Sequence, residues 1–416
     1  MIKHLIKLIW NQRRQNGWLF AELFIVTALL WFVIDKLFVE QYTYHQPSGY
    51  NIENCWRIEL DKLSPKSIGF IPEEKGNAND YRRIEQLKER LMQTGKVESV
   101  AYSFYSCPYS GGSSYGEIFP LDADSVNHLN CRLYSVSPEF FDLFRVKDLD
   151  GNALTERLRN KENLLVLTDQ TAKQLYKGGE AIRKEVRCSG TRTVAAIIPN
   201  VKESEYNKAS NGGFIICSPT NLQDKIEQFG ANGMDFNLRM KQPITVAEMS
   251  DWFSSLGDQL TAGNVYVSSF SSHEQMRILR NSYQQQSMQA YLLFSTFLLL
   301  NVFFGIVGTF WLRTEQRKGE TGLRIALGAS RFKIGTWLNI EGLMLLYLSM
   351  PLLGLLILNI SYADLIDTAN MPFTWWRLLI TAGASLLIVS LMIVIGVTIP
   401  ARRAMKLDPS TVLKAE

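Results

Sequence analysis

Four apolar runs limit what this 416-residue chain can fold into. They are Trp18 to Phe38, Met288 to Leu312, Trp337 to Ile360 and Trp375 to Ile399, each 21 to 25 residues long. About 20 residues of helix cross a hydrocarbon core of roughly 30 Å. Inside that core every backbone group must be satisfied within the segment, so each run reads as a membrane helix. The overall mean hydropathy of −0.03 hides this, because the apolar residues are concentrated in four places. The first run is longer than the apolar stretch of a signal peptide, about 7–15 residues. No small-x-small cleavage site follows it, only Val39-Glu40-Gln41-Tyr42-Thr43-Tyr44, so it reads as a retained anchor.

Lys and Arg in the short connections set the orientation. Residues 1–17 hold four (Lys3, Lys7, Arg13, Arg14) and 313–336 hold six (Arg313, Arg317, Lys318, Arg324, Arg331, Lys333). The tail 400–416 holds four, whereas the loop 361–374 holds none and carries Asp364 and Asp367. Both termini and 313–336 therefore read as cytoplasmic, and 39–287 and 361–374 as outside. In the N-terminal segment 1–17, Ile2, Leu5, Ile6, Ile9 and Trp10 share one helical face, the pattern of an amphipathic helix lying on the inner membrane surface.

The outer segment 39–287 reads as a large α+β domain. "CWRIEL" (55–60), "YRRIEQLKERLMQTG" (81–95) and "KVESVAYSF" (96–104) follow the order strand, helix, strand. "DFNLRM" (235–240), "TVAEMSDWFSSLGDQL" (245–260) and "NVYVSSF" (264–270) repeat it. Ile84, Leu87 and Leu91 in one helix, and Val246, Met249 and Trp252 in the other, mark the buried faces. Two βαβ units thus flank an insertion, about 105–234, with strands at 163–168 and 193–199. "SSHEQMRILRNSYQQQ" then forms a stalk helix (271–287) that enters the second span with no Pro or Gly to interrupt it. All five cysteines (Cys55, Cys107, Cys131, Cys188, Cys217) fall in this outer segment. An oxidising compartment permits disulfides there, but buried free thiols fit the sequence equally well.

Motifs for chemistry are sparse. No G-x-x-x-x-G-K-[ST] occurs, so the chain has no P-loop for nucleotide phosphates. H-E-x-x-H is absent too, and His4, His45, His128 and His273 are scattered, which gives no catalytic, cofactor or metal assignment. The acids singled out within the spans are Glu22 and Glu341, each close to the cytoplasmic end of its helix.

The most telling segment is Arg313 to Ser330, R-T-E-Q-R-K-G-E-T-G-L-R-I-A-L-G-A-S. It resembles the cytoplasmic signature of MacB/FtsX-type ABC-transporter permeases, in which Glu320, Gly322, Arg324, Ala326, Leu327, Gly328 and Ala329 match and Thr321 replaces an aliphatic residue. Glu341 is similar to an acid that the family carries early in its third span. The tail "IPARRAMKLDPSTVLKAE" (399–416) is similar to the family's C-terminal motif through Pro400, Arg402, Arg403, Asp408 and Pro409. "YSVSPEFFDLFRVKDLDGNAL" and "LLVLTDQTAKQLY" resemble stretches of the family's outer domain.

The resemblance implies an α-helical membrane protein with four transmembrane helices (18–38, 288–312, 337–360, 375–399) and a large extracytoplasmic α+β domain. It implies a permease of the bacterial inner membrane with both termini in the cytoplasm and no enzyme activity of its own. Its cofactors, ATP and Mg, would sit on a separate cytosolic ABC ATPase docked on the 313–336 loop. A second permease chain, identical or not, and a periplasmic adaptor or substrate protein complete the implied partners, with membrane lipid and no nucleic acid. Efflux or export of a compound, peptide or lipoprotein is the leading function. An FtsX-like scaffold for a periplasmic cell-wall hydrolase and a peptide-stress sensor are the alternatives.

Overall fold

The structure is a computed structural model that describes residues 13–72, 80–121, 128–316, 319 and 330–405. The two sequence repeats become β1 (Cys55–Lys62), α2 (Asp80–Gln93) and β2 (Val97–Phe104), then β9 (Met234–Met240), α7 (Val246–Leu256) and β11 (Val265–Ser272). Here α1 is the N-terminal helix Arg13–Tyr44, and β10 is the two-residue strand Thr261–Ala262 paired to β11. The two units interleave rather than lie side by side. β1 pairs antiparallel with both β9 and β11, and β9 pairs antiparallel with β2, which gives the local order β11-β1-β9-β2. Each βαβ crossover therefore skips over one strand of the other unit, the split βαβ arrangement.

One core cluster explains why the helices end where they do. Ile84, Leu87 and Leu91 of α2 and Met249, Trp252 and Phe253 of α7 pack against Trp56, Ile58, Leu60, Phe236 and Leu238 of the strands. Val246, expected on the buried face, is exposed because it lies at the first turn. Thr245 caps that turn: its hydroxyl accepts from the Glu248 N–H at 3.3 Å while the Glu248 carboxylate accepts from the Thr245 N–H at 2.8 Å. Such a reciprocal cap is worth about 1 kcal/mol.

Between β2 and β9 lie β3 (Tyr115–Pro120), β4 (Leu129–Val136), α3 (Glu139–Leu143), α4 (Thr155–Leu158), β5 (Leu164–Thr168), α5 (Asp169–Tyr176), β6 (Glu185–Arg187), β7 (Thr191–Ile198), β8 (Gly212–Ile216) and α6 (Pro219–Phe229). Their pairing closes on itself as β4-β3-β6-β7-β5-β8-β4. Strand alternation sorts the side chains. Ile118, Leu133, Leu165, Val186, Val194 and Ile215, one from each strand of the ring, share a cluster. The alternate residues Val136, Val166 and Phe214, with Ile198 beyond a bulge in β7, join Phe140, Phe141 and Phe144 in another. Cys131 and Cys188 sit in the first cluster, and all five cysteines are buried and free. The disulfide alternative is thus not taken up: these thiols fill apolar space.

The remaining helices are α8 (His273–Gln316), α9 (Arg331–Tyr362) and α10 (Trp375–Met405). Among the described residues four helices, α1 and α8 to α10, are long and apolar enough to cross a membrane. The stalk and second span form one helix of 44 residues, about 66 Å at 1.5 Å per residue. By contacts the chain divides into an α+β unit, Tyr44–Tyr283, and a helical unit made of the residues on either side. The α+β unit starts later than residue 39 because α1 stays helical through Tyr44. Within the helical unit, Leu19, Leu23, Val26 and Leu30 of α1 meet Val302, Ile306 and Phe310 of α8, Leu338 and Leu345 of α9, and Val389, Ile393 and Val397 of α10. Three- and four-residue steps put each set on one face.

Candidate functional site

The helical unit contains polar contacts that need a specific arrangement. Arg377, near the start of α10, is fully buried and pairs with Asp35 of α1, which is also buried. Its Nη1 also donates to the carbonyls of Asp367 at 3.0 Å and Met371 at 2.7 Å. Lys36 reaches the Asp367 carboxylate at 2.9 Å and Glu40 at 3.5 Å. Gln284 of α8 donates to the Glu40 carboxylate at 2.6 Å, and the Trp31 indole to Thr381 at 3.1 Å. Three helices and the 363–374 loop are thereby tied at the Tyr44 end of α1. A charge in an apolar helix is costly unless paired. The sequence singles out Glu22 and Glu341 as the span acids, and Asp35 and Arg377 are not among them. Their signal was available: opposite charges at the same end of two spans.

Glu341 is fully buried in α9, and Glu22 is half-buried in α1. The Glu22 carboxylate lies over Gly305 of α8, where an added Cβ would collide with it. Gly342 makes a second close approach, since a Cβ there would come within 2.7 Å of Ile393. Pro400 is buried and Arg402 exposed in the last turns of α10, which also contain Arg403. Glu320, Gly322, Arg324, Ala326, Leu327, Gly328, Ala329, Asp408 and Pro409 lie outside the described residues, as does the N-terminal segment before residue 13.

In the α+β unit the start of α8 is held by a polar network. His273 is fully buried, with Nδ1 3.3 Å from the Pro108 carbonyl and Nε2 3.2 Å from the Asn237 side-chain oxygen. Burial, together with the nearby Arg57 and Arg239 guanidiniums, pushes its pKa down to about 3, against the pull of the Pro108 carbonyl. Asp235 accepts from the Arg57 guanidinium at 2.9 Å and from the Ser106 N–H at 3.1 Å. Arg239 donates to the carbonyls of Leu143 at 2.5 Å, Glu53 at 2.6 Å and Asn51 at 2.6 Å. Further along α8, Asn281 bonds to Glu205, which also accepts from Tyr109 at 2.8 Å, and Arg280 pairs with Glu203.

Gly112-Ser113-Ser114-Tyr115-Gly116 has the G-x-S-x-G spacing of serine hydrolases. The motif works at a strand-to-helix elbow. Here it leads into strand β3, so it lacks that context. Among the described residues no cluster of three His, Cys, Asp or Glu side chains forms a metal site.

Residues 292–409 match the family profile described as FtsX-like permease C-terminal. That stretch of the chain is thus similar to an FtsX-like permease domain. The matched stretch contains both the 313–330 segment and the start of the tail motif, the two places where the resemblance was most specific. Two solved structures are each similar to a little over half of the chain. One is the periplasmic region of MacB from Actinobacillus actinomycetemcomitans, with a TM-score of 0.35, 13% identity, and coverage of 57% of this chain and 97% of that one. The other is the extracellular domain of the noncanonic ABC-type transporter YknZ from Gram-positive bacteria, with a TM-score of 0.30, 11% identity, and coverage of 51% and 100%. No curated protein matches the chain.

Proposed function

We propose that this permease is the membrane subunit of a MacB/FtsX-like ABC machine, and that a separate cytosolic ATPase docks on its 313–336 loop. The observation that carries this reading is the FtsX-like match over 292–409, which spans the loop and reaches the start of the tail. The missing P-loop supports placing ATP and Mg on another polypeptide. Gly322, Ala326, Gly328 and Ala329 allow close backbone approach, and Arg324 offers a charge for the partner. The 44-residue helix α8 runs unbroken from the α+β unit into the helical unit, a connection suited to carrying movement from the ATPase outward. Efflux or export driven by that movement, in a dimer of permease chains in the inner membrane, is the function we assign. Both termini then face the cytoplasm and residues 44–283 the periplasm.

Co-purification with the cognate ATPase tests the docking. Gly328→Leu adds bulk at the contact, and Arg324→Glu inverts its charge. Loss of one partner of an interfacial charge pair costs about 2–5 kcal/mol, so recovery of ATPase should drop at least about tenfold while membrane levels hold. Normal recovery with both variants would mean that the loop is only a connection.

A further inference from the structure

The α+β unit has a concave cleft of about 710 Å³ that the proposed transport cycle does not use. This falls within the roughly 300–1,000 Å³ typical of small-molecule sites. Three elements frame it: the segment before β1, the Pro243–Val246 turn before α7, and the first turn of α8. Its apolar wall includes Ile52, Trp56, Tyr109, Pro243, Ile244 and Val246. Three carboxylates also line it, Glu53, Glu205 and Glu274, against one guanidinium, Arg277; with Lys202 beside Glu205 the balance is negative by one charge.

The charges are unevenly matched. Arg277 is drawn to Glu274, with Nη2 at 2.5 Å, and stands 3.6 Å from Glu205. The Glu53 carboxylate forms no ion pair among the described residues. Glu205 is buried, and its oxygens already accept from Tyr109 and Asn281. Partly apolar walls around unbalanced carboxylates concentrate negative potential inside the cleft. Trp and Tyr faces add to the attraction for a cation when it is desolvated. An anion would be repelled, and a neutral apolar molecule would leave the carboxylates unmatched.

We infer that this cleft is a binding site for an organic cation that carries an apolar body of small-molecule size. The ammonium or guanidinium is held between Glu53 and Glu274, and the apolar body lies along Ile52, Ile244 and Val246. A bound cation shares Glu274 with Arg277, so occupancy is felt directly at the first turn of α8. The inference does not depend on ATPase docking.

The test uses the full chain in nanodiscs of zwitterionic lipid and a matched pair of fluorescent probes. Dansylcadaverine carries a free ammonium on an apolar body; its N-acetyl derivative has the same body and no charge. Saturable binding of dansylcadaverine, at least about tenfold tighter than that of the acetylated probe, is expected. The double variant Glu53→Gln with Glu274→Gln changes two exposed side chains and should lose that preference while keeping its circular dichroism spectrum. Ile244→Trp, which fills the wall but leaves every charge in place, should weaken binding as well. Equal binding of the two probes, unchanged affinity in the charge variant, or no saturable binding by the wild-type chain would each overturn the inference.

Discussion

The Arg377 guanidinium grips the Asp35 carboxylate with both arms, Nε to Oδ1 at 2.9 Å and Nη2 to Oδ2 at 2.6 Å. This two-point contact joins α1 to α10. Its remaining donor is taken by carbonyls of the 363–374 loop, so the buried guanidinium is satisfied on every side that the contacts describe.

Removing either partner leaves the other charge buried. Asp35→Asn or Arg377→Gln should each cost about 3–5 kcal/mol of stability. The double change Asp35→Leu with Arg377→Met, which removes both charges, should recover most of that. Thermal unfolding of the purified chain in one detergent measures all of them; a double variant as weak as the worse single would refute the pairing argument.

Close packing within the helical unit predicts a contrast between glycines. A Cβ at Gly342 would press on Ile393 at 2.7 Å and Phe310 at 3.1 Å, whereas nothing lies within 4 Å of one at Gly354. Gly342→Ala should therefore destabilise by about 1–3 kcal/mol through overpacking. Gly354→Ala, on an open helix face, should be neutral or slightly stabilising. Melting temperatures of the two variants against wild type decide it.

Acid should weaken the α+β unit through His273. Its folded pKa of about 3 lies below the unfolded value near 6.5, so folding favours the neutral ring. That contribution is complete above pH 6.5 and drains away as the pH falls toward 3. Between pH 6.5 and 5 the loss is about 2 kcal/mol. The groups facing the ring are Asn237, the Pro108 carbonyl, Arg57, Arg239 and Phe144. Urea unfolding of wild type and His273→Asn, followed by near-ultraviolet circular dichroism, should show a flatter pH dependence in the variant; parallel curves would exclude the ring as the titrating group.

The thiols should be quiet. Burial pushes Cys55 and Cys131 up to about 12 and Cys217 to about 11, so each is protonated at pH 8. Native protein should react with a maleimide at least about tenfold more slowly than denatured protein, because the thiolate is the nucleophile. Denaturation without reductant should then release all five thiols; a count of three or one would reveal disulfides.

Orientation is testable by placing single cysteines in a background in which the native five are replaced. Impermeant maleimide should label Asn152→Cys and Asp367→Cys in whole cells, and Lys318→Cys and Lys414→Cys only after permeabilisation. Labelling at 318 from outside would invalidate the proposed arrangement.

Elements with a strong local pattern were legible in the sequence. The four spans announced themselves by length, and α2 and α7 by the spacing of Ile84, Leu87, Leu91, Met249 and Trp252. The order of the strands was not, because nothing local tells β1 that it will lie between β9 and β11. Ring closure through β4 and β8 was equally hidden, since Tyr134 opposite Phe214 is a long-range pairing with only alternation to hint at it. Asp35 and Arg377 were visible as letters, but their meaning required both helices to be in place. The polar network around His273 drew on β9, the Pro108 turn and α3, three places far apart in sequence.

The Asp35–Arg377 contact also sets a timetable. The two residues are 342 positions apart, so the first helix is made long before its partner exists. At 5–20 residues per second, translation takes roughly 20–70 s to cover that distance. Throughout that interval Asp35 sits at the end of an apolar helix with no guanidinium to meet it. The contact can close only once the fourth helix is made, so it is among the last to form in the helical unit.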